Sequence, residues 1–296
     1  MKLFWWSPRR DPRAAKAELR ANAGTWIQLR ANGGRLLSNF GDEMSPLLFR
    51  ALGYRVTWAP LSSADVTGVG SLLDLYLWAR QPTTAVVWGS GLRAASTAQA
   101  REVIRRSVGT FAAVRGPRTR DALGLPVKTP LGDPGLLAPA LLDGKTSRRG
   151  THAVVIPHFR TWSHGASRSQ LKALTSLGYR VVAPNQDPVD VVQAISNSAI
   201  VYTSSLHGLI VADALGVPAA LVRFANSELS GEPEFKYLDY FESVQSSPRW
   251  IVVDDIISPR AALLHQIEAE SETRQGCAAA LRPGLEASSR ALASVV

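Results

Sequence analysis

The chain has 296 residues, 46% hydrophobic and 19% charged, an ordinary globular composition that excludes a disordered chain and is long enough to bury one or two cores. Lys and Arg exceed Asp and Glu by 33 − 24 = +9, so the expected partners are anionic: phosphates, carboxylates or an acidic membrane surface. One cysteine, Cys277, excludes an internal disulfide and a cysteine metal cluster; no apolar run reaches the ~18 residues of a membrane span, and the scattered arginines carry no nucleic-acid motif.

The chain opens on a strand, KLFWW (2–6), without the charged-then-apolar order of a secretory leader, so a cytoplasmic protein is expected. NFGDEMSPLL (39–48) starts a helix over 42–52. Asp42 and Glu43 in its first turn either answer the helix dipole or, with Asn39, face a ligand; the residues leave both readings open. Strands follow at YRVTWA (54–59) and TAVVWG (84–89). The second runs into Gly89 and Gly91, whose backbone can approach a ligand closely. The third glycine and distant acid of a dinucleotide fingerprint are missing, which excludes NAD.

A helix is expected over 96–107, then the strand TFAAVR (110–115) and a helix over 117–124. Arg115 ends that strand, and Arg118 and Arg120 open the helix beside Pro117, where guanidinium forks and free N–H groups form an anion site. For Arg118 and Arg120 the alternative is a solvated pairing with Asp121. LGDPGLLAP (131–139) reads as a turn in which Asp133 fixes the local backbone. LLDGKTSRRGTH (141–152) reads as an interdomain linker dividing the chain into 1–145 and 146–296.

The second half repeats the pattern. Strands are expected at HAVVIPH (152–158), YRVVAP (179–184), AIVYT (199–203) and PAALVRF (218–224). Helices are expected over 166–177, 188–197, 206–215 and 234–243, and a long capping helix over 259–292 without evident chemistry. His158 and Arg160 end the first of these strands in an anion-facing loop; with His164 they lack the third ligand of a metal site. TSSLHGLIVADALGVP is a strand–turn–helix edge, with Ser204 and Ser205 at the cap and His207 in the first turn. A histidine there is either packing or chemistry. The positive end of the helix lowers its proton affinity and a bound anion restores it, so it can take up a proton with substrate and pass it on. In EFKYLDYF (234–241) the aromatics face the core and Lys236 reaches the cleft.

LGYRV occurs twice, at 52–56 and 177–181, and ALG-x-P occurs at 122–126 and 214–218. Each marks a helix ending at a glycine before a short β-branched run. These junctions imply alternating α and β elements: an α/β fold of two doubly wound, Rossmann-like domains facing across a cleft. Ligands of such sheets sit outside the strand C-terminal ends.

In order along the chain, NFGDEMSPLL, WGSGL, AVRGPRTRDALG, LGDPGLL, IPH, AISNSAIVYTSSLHGLIVADALGVP and FKYLDYF resemble the polysaccharide pyruvyltransferases over about residues 1–245. SSLHGLIVADA is the most specific block. The resemblance implies a GT-B-like enzyme that moves the enolpyruvyl unit of phosphoenolpyruvate onto two hydroxyls of a sugar in a bacterial exopolysaccharide or cell-wall glycan. A cyclic pyruvate ketal forms and phosphate leaves, with no cofactor or metal. It implies His207 as the acid that protonates the methylene carbon, with phosphate held at the turn of Ser204 and Ser205. Arg115 is then the main anion clamp, aided by Arg118, His158, Arg160, Arg223 and Lys236. Asn39, Asp42, Glu43 and the backbone of Gly89 and Gly91 face the acceptor, which is lipid-linked or polymeric.

Two departures stand out. Several members of that family carry arginine two residues before the histidine, where this chain has Ser205, so the clamp charge must come from elsewhere. The interval before NFGDE is long, and its basic stretch 8–35 is expected to be a flap or a membrane-contact element at the inner membrane face. Two rivals remain: a nucleotide-sugar-dependent GT-B glycosyltransferase and a non-catalytic binder of anionic glycans.

Overall fold

The computed structural model describes residues 1–78, 82–142, 150–225 and 233–295, among which ten strands form two five-stranded parallel sheets. The first holds β1 (Lys2–Phe4), β2 (Thr57–Trp58), β3 (Val66–Thr67), β4 (Val86–Trp88) and β5 (Thr110–Ala113) in the order β2-β1-β3-β4-β5. The second holds β6 (Ala153–Ile156), β7 (Arg180–Val181), β8 (Ile200–Thr203), β9 (Ala219–Arg223) and β10 (Trp250–Val252) in the order β10-β9-β8-β6-β7. Numbered from its own first strand, each sheet has the same order. In each the winding reverses between the first and third strands, β1 and β3 or β6 and β8, and such a reversal opens a crevice at the strand C-termini. The architecture is the expected α/β, GT-B-like one. The linker expected at 141–152 falls largely on residues 143–149, which lie outside the described residues.

The helices of the first half are α1 (Pro12–Ala31), α2 (Phe40–Glu43), α3 (Ser45–Ala51), α4 (Ala98–Ser107) and α5 (Pro117–Ala122). Those of the second are α6 (Gly165–Ser176), α7 (Pro188–Ser196), α8 (Leu206–Leu215), α9 (Phe235–Ser243), α10 (Val253–Ile257) and α11 (Ala261–Ser288). Proline in the first turn starts α1, α3, α5 and α7, where its missing N–H costs nothing. Gly53, Gly124, Gly178 and Gly216 follow helix ends with φ of +88°, +60°, +89° and +70°, the left-handed stop that the repeated sequence junctions announce. The two LGYRV copies lead into β2 and β7, equivalent strands of the two sheets. After Gly124 no strand forms; Leu131 makes a single parallel bridge to Val114.

Among the elements that go beyond the sequence reading are β3, β10 and α1. β3 is only two residues long and β10 only three, too short to show alternation. α1 buries just Thr25, Trp26 and Leu29 along its twenty residues, so its apolar face is confined to one end. That end docks on the second half. Trp26 meets Phe159 at 4.7 Å between ring centroids, and Thr25 Oγ1 shares a 2.9 Å hydrogen bond with Ser163 Oγ. The stretch expected to be a flap is therefore a helix crossing from β1 to the other sheet. The chain continues along that half, with Arg35 N donating to Asn185 O and Phe40 N to Pro184 O.

The halves also share a core. One apolar cluster contains Leu3 and Trp88 of the first sheet, Ile156 and Leu221 of the second, and Leu285 of α11. α11 is more than a cap. Its Arg274 pairs with Asp213 of α8 at 3.1 Å, while Trp88 Nε1 donates to Leu285 O, also at 3.1 Å.

A second buried pair ties α9 to the first half. Arg115 Nε donates to Asp239 Oδ2 at 3.0 Å, and Asp239 also accepts from Thr119 N (2.8 Å) and Thr119 Oγ1 (2.7 Å). Both charged residues are fully buried. Removing one partner leaves an uncompensated interior charge, which costs about 3–5 kcal/mol. Urea denaturation should therefore show Asp239→Ala destabilised by about that amount. Arg118→Ala, which breaks only the exposed pair with Glu242, should shift stability by less than ~1 kcal/mol.

Candidate functional site

Both strand-order reversals open onto one cleft of about 460 Å³. Trp6 and Pro8 follow β1, Ser71 and Leu72 follow β3, His158 and Arg160 follow β6, and Ser205 and His207 follow β8. Lys236 of α9 and Trp26 of α1 complete the walls. The wall from the second half carries His158, Arg160, Lys236 and the start of α8. The wall from the first half carries Asn39, Asp42, Asp74 and Arg93.

The turn before α8 is bolted down from three sides. Thr203 Oγ1 donates to Ile156 O at 2.7 Å and accepts from Ser205 N at 2.9 Å. Ser204 Oγ accepts from His158 N at 2.7 Å, and Ser204 O accepts from Tyr237 Oη at 2.9 Å. Ser204 is thus a brace between strands, whereas Ser205 lines the cleft as N-cap of α8. The Ser205 side chain makes no capping hydrogen bond, so the first-turn N–H groups face outward uncapped.

His207 is one residue into that helix, with its side chain 15% exposed. Its ring lies between two motifs of the first half. A Cβ on Gly41 would stand 2.0 Å from His207 Nδ1, so NFGDE needs its glycine to admit the imidazole. On the other side, His207 Nε2 lies 3.9 Å from Asp133 Oδ2. Burial, then the charges of Lys236, Arg115 and His158, push its pKa down to about 3. The resting imidazole is neutral. Asp42 moves the opposite way. Burial, reinforced by Glu43 and Asp133 and opposed by Lys236, raises its carboxyl to about 7.

Several residues expected at the site are used elsewhere. Arg115 does not face the cleft: its guanidinium is consumed by Asp239, Ser71 Oγ and Leu92 O. Arg118 and Arg223 pair with Glu242 and Glu234 on the outer surface, and neither lines the cleft. Glu43 turns inward, accepting from Trp5 Nε1, Ser7 Oγ and Arg9, and so anchors the segment after β1. The glycines of WGSGL make room for protein rather than ligand. A Cβ on Gly89 would meet Pro134 at 2.4 Å, and one on Gly91 would meet the Arg115 guanidinium at 2.4 Å.

Asn39, Asp42, His158, Arg160, Ser205, His207 and Lys236 do come together in the cleft. Asn39 lines the cleft and also caps α2 by accepting from Gly41 N. Sequence reasoning missed Arg93, Asp74 and the exposed Trp78 on the first wall, and Asp133 beside His207. Arg93 directly follows WGSGL, which was the available signal. Trp78 has none, because an isolated tryptophan looks like core. Among the described residues, no group of three or more His, Cys, Asp or Glu could hold a metal ion, and no helix is long and apolar enough to cross a membrane.

The model of a family described as polysaccharide pyruvyl transferase matches residues 2–226. The succinoglycan biosynthesis protein ExoV of Rhizobium meliloti (strain 1021) is 25% identical over 208 residues, covering 70% of this chain. The match spans 61% of that relative's own length. No solved structure matches the chain.

The opposed shifts at the cleft give a pH signature. Folding raises Asp42 from 3.8 to about 7, so its contribution to stability is full below pH 3.8 and is lost as pH rises through 7. His207, lowered from 6.5 to about 3, contributes fully above pH 6.5 and loses its contribution as pH falls towards 3. Asp42→Asn should therefore stabilise the protein by up to about 4 kcal/mol at pH 8 and by less than ~1 kcal/mol at pH 4, read by urea denaturation. In NMR titrations of the free protein the His207 ring should not titrate between pH 5 and 8.

Proposed function

The chain belongs to the polysaccharide pyruvyl transferase family, and on that premise we propose that it transfers pyruvate from phosphoenolpyruvate to a sugar of a bacterial exopolysaccharide or cell-wall glycan. The observation that carries this reading is His207, neutral at rest, at the uncapped start of α8 and flanked by cations. The donor lies with the second half (146–296) and the acceptor with the first (1–145).

Phosphoenolpyruvate brings a carboxylate and a phosphate. The second wall offers Arg160, Lys236 and the N–H groups of α8, and Arg93 approaches from the first wall. A helix start and convergent cations suit such an anion. Its charge raises the proton affinity of His207, which takes up a proton as donor binds. His207 then gives that proton to the C3 methylene, which becomes a methyl group, and C2 becomes electrophilic. An acceptor hydroxyl oxygen bonds to C2 and loses its proton to Asp42, whose pKa of about 7 suits an acceptor of protons at neutral pH. The C2–O(phosphate) bond breaks, and the neighbouring hydroxyl bonds to C2 and closes the ketal, its proton leaving with the departing phosphate.

The first wall suits a sugar. Trp6 and Trp78 line the cleft while remaining 36% and 82% exposed, and an exposed indole face stacks on the apolar face of a pyranose. The excess of basic charge favours an acceptor carrying a lipid diphosphate at the membrane surface.

Phosphoenolpyruvate at a hundredfold excess over its Kd should stabilise the protein by about 2.7 kcal/mol in a thermal-shift assay. Stabilisation by a nucleotide sugar instead would point to a glycosyltransferase, and by finished glycan alone to a binding protein. With donor and lipid-linked oligosaccharides, mass spectrometry should detect the added ketal. His207→Gln should lower turnover by about 10²–10⁴-fold while retaining the donor-induced shift. Trp78→Ala should raise the acceptor KM by about fivefold with kcat nearly unchanged, since one lost stacking contact is worth ~1 kcal/mol.

A further inference from the structure

Asp133 belongs to LGDPG, between the bridge at Leu131 and the 3-10 helix Pro134–Leu142. Its side chain is fully buried. One of its oxygens serves the local backbone, since Oδ1 accepts from Gly135 N at 2.8 Å and fixes the turn. The other serves nothing local. Oδ2 is buried without a hydrogen-bond partner, and 3.9 Å away stands His207 Nε2. Leaving a buried carboxylate oxygen unsatisfied is costly, so its orientation calls for a partner at another stage of the cycle.

The charges around the ring say which stage. In the free protein His207 faces the cations Lys236 of α9 and Arg115 at the end of β5, and the imidazole of His158 after β6, with Asp133 on the opposite side. Asp133 in turn faces Arg115, Asp239 and Asp42. Burial first, and these charges after it, keep the imidazole neutral. An anion bound beside Lys236 offsets the cationic share of that bias and acts in the same sense as the carboxylate. A protonated imidazole carries N–H on both nitrogens. Its Nε2–H points to Asp133 Oδ2. Its Nδ1–H lies beside Gly41, in the turn whose flanking Asn39 and Asp42 line the cleft.

We propose that Asp133 is the positioning residue of the acid: its free Oδ2 accepts Nε2–H of the His207 imidazolium in the donor complex and so presents Nδ1–H to the substrate carbon. This rests on the function proposed above. The proton comes from solvent as the anion binds and leaves from Nδ1 to the C3 methylene. Asp133 keeps its charge and exchanges no proton.

The test uses the full chain, phosphoenolpyruvate as probe and ¹⁵N-labelled histidine. In the wild-type complex the His207 ring should be protonated at pH 7, with Nε2–H shifted downfield by its carboxylate partner. Asp133→Asn keeps an oxygen for Gly135 N but turns an NH₂ towards Nε2. It should bind phosphoenolpyruvate within about threefold of wild type, lower the His207 pKa in the complex by about one unit or more, and cut kcat by at least ~100-fold. Asp133→Ser, which also retains an acceptor for the turn, should behave alike and decides the matter should the asparagine variant not fold. A merely structural Asp133 predicts lower stability with an unchanged His207 titration and kcat in the surviving folded protein; that result overturns the inference. So does a neutral His207 in the wild-type complex. Failure of the wild-type protein to bind phosphoenolpyruvate at all is a different result: it defeats the functional reading on which the inference stands.

Discussion

The contact on which the site depends is the buried pair between Arg115 and Asp239. Arg115 closes β5 of the first half, and Asp239 sits in the middle of α9, a helix that follows β9 of the second. The same helix sends Tyr237 to the carbonyl of Ser204, Tyr240 to Asp213 of α8, and Lys236 into the cleft. One ion pair, satisfied on both sides by Thr119, Ser71 and Leu92, thus fixes the distance between the turn that starts α8 and the opposite wall. A buried pair is weak evidence for net stability, because desolvation offsets much of the attraction. Its value here is geometric. Gly91 must lack a side chain to admit the guanidinium, and Gly116 must lack one because a Cβ would stand 1.9 Å from the Asp239 carbonyl oxygen. Gly91, read from the sequence as ligand-approaching backbone, and Gly116 are therefore the footprint of this contact.

The electrostatics follow from that placement. Lys236 is nearly buried, 8% exposed, and is the largest single charge acting on His207 after burial itself. It adds to burial in keeping the imidazole neutral and also lowers Asp42, which burial and two neighbouring carboxylates raise. An imidazole that is neutral at rest and a carboxyl poised near 7 are thus displaced in opposite directions from their ordinary values within one cleft. Pairs of titratable groups driven apart by their surroundings are the usual mark of acid and base roles.

Much of this was legible from the sequence, and the exceptions share a cause. Helix ends, glycine stops and the paired LGYRV segments follow from local backbone chemistry, so the alternation of elements and the two parallel sheets could be read directly. His207, His158 and Ser205 were legible because a strand–turn–helix edge in such a sheet is where ligands go. Arg115 was misread for a physical reason. A strand-end arginine looks like an anion clamp, and only the chain's return through α9, over a hundred residues later, brings the carboxylate that consumes it. Glu43 was misread in the same way, since its partners lie at Trp5, Ser7 and Arg9. α1 escaped because a helix that buries one end against a distant sheet has almost no amphipathic period to detect.

The serine at position 205 belongs to the same electrostatic arrangement. An arginine there would stand at the start of α8, beside a helix end that is already positive. This chain instead gathers its cations on neighbouring elements, with Arg160 on the loop after β6, Lys236 on α9 and Arg93 after β4. Charge brought in from three elements depends on their mutual position in a way that an arginine on the α8 turn itself would not. Of the buried polar groups around the cleft, Arg115 with Asp239 joins the two halves, while Arg274 with Asp213 and Tyr240, and Ser204 with His158 and Tyr237, tie elements of the second half to one another. Cations supplied from several elements keep their mutual positions only if those elements are held rigidly, because each ångström of slack moves one charge relative to the others.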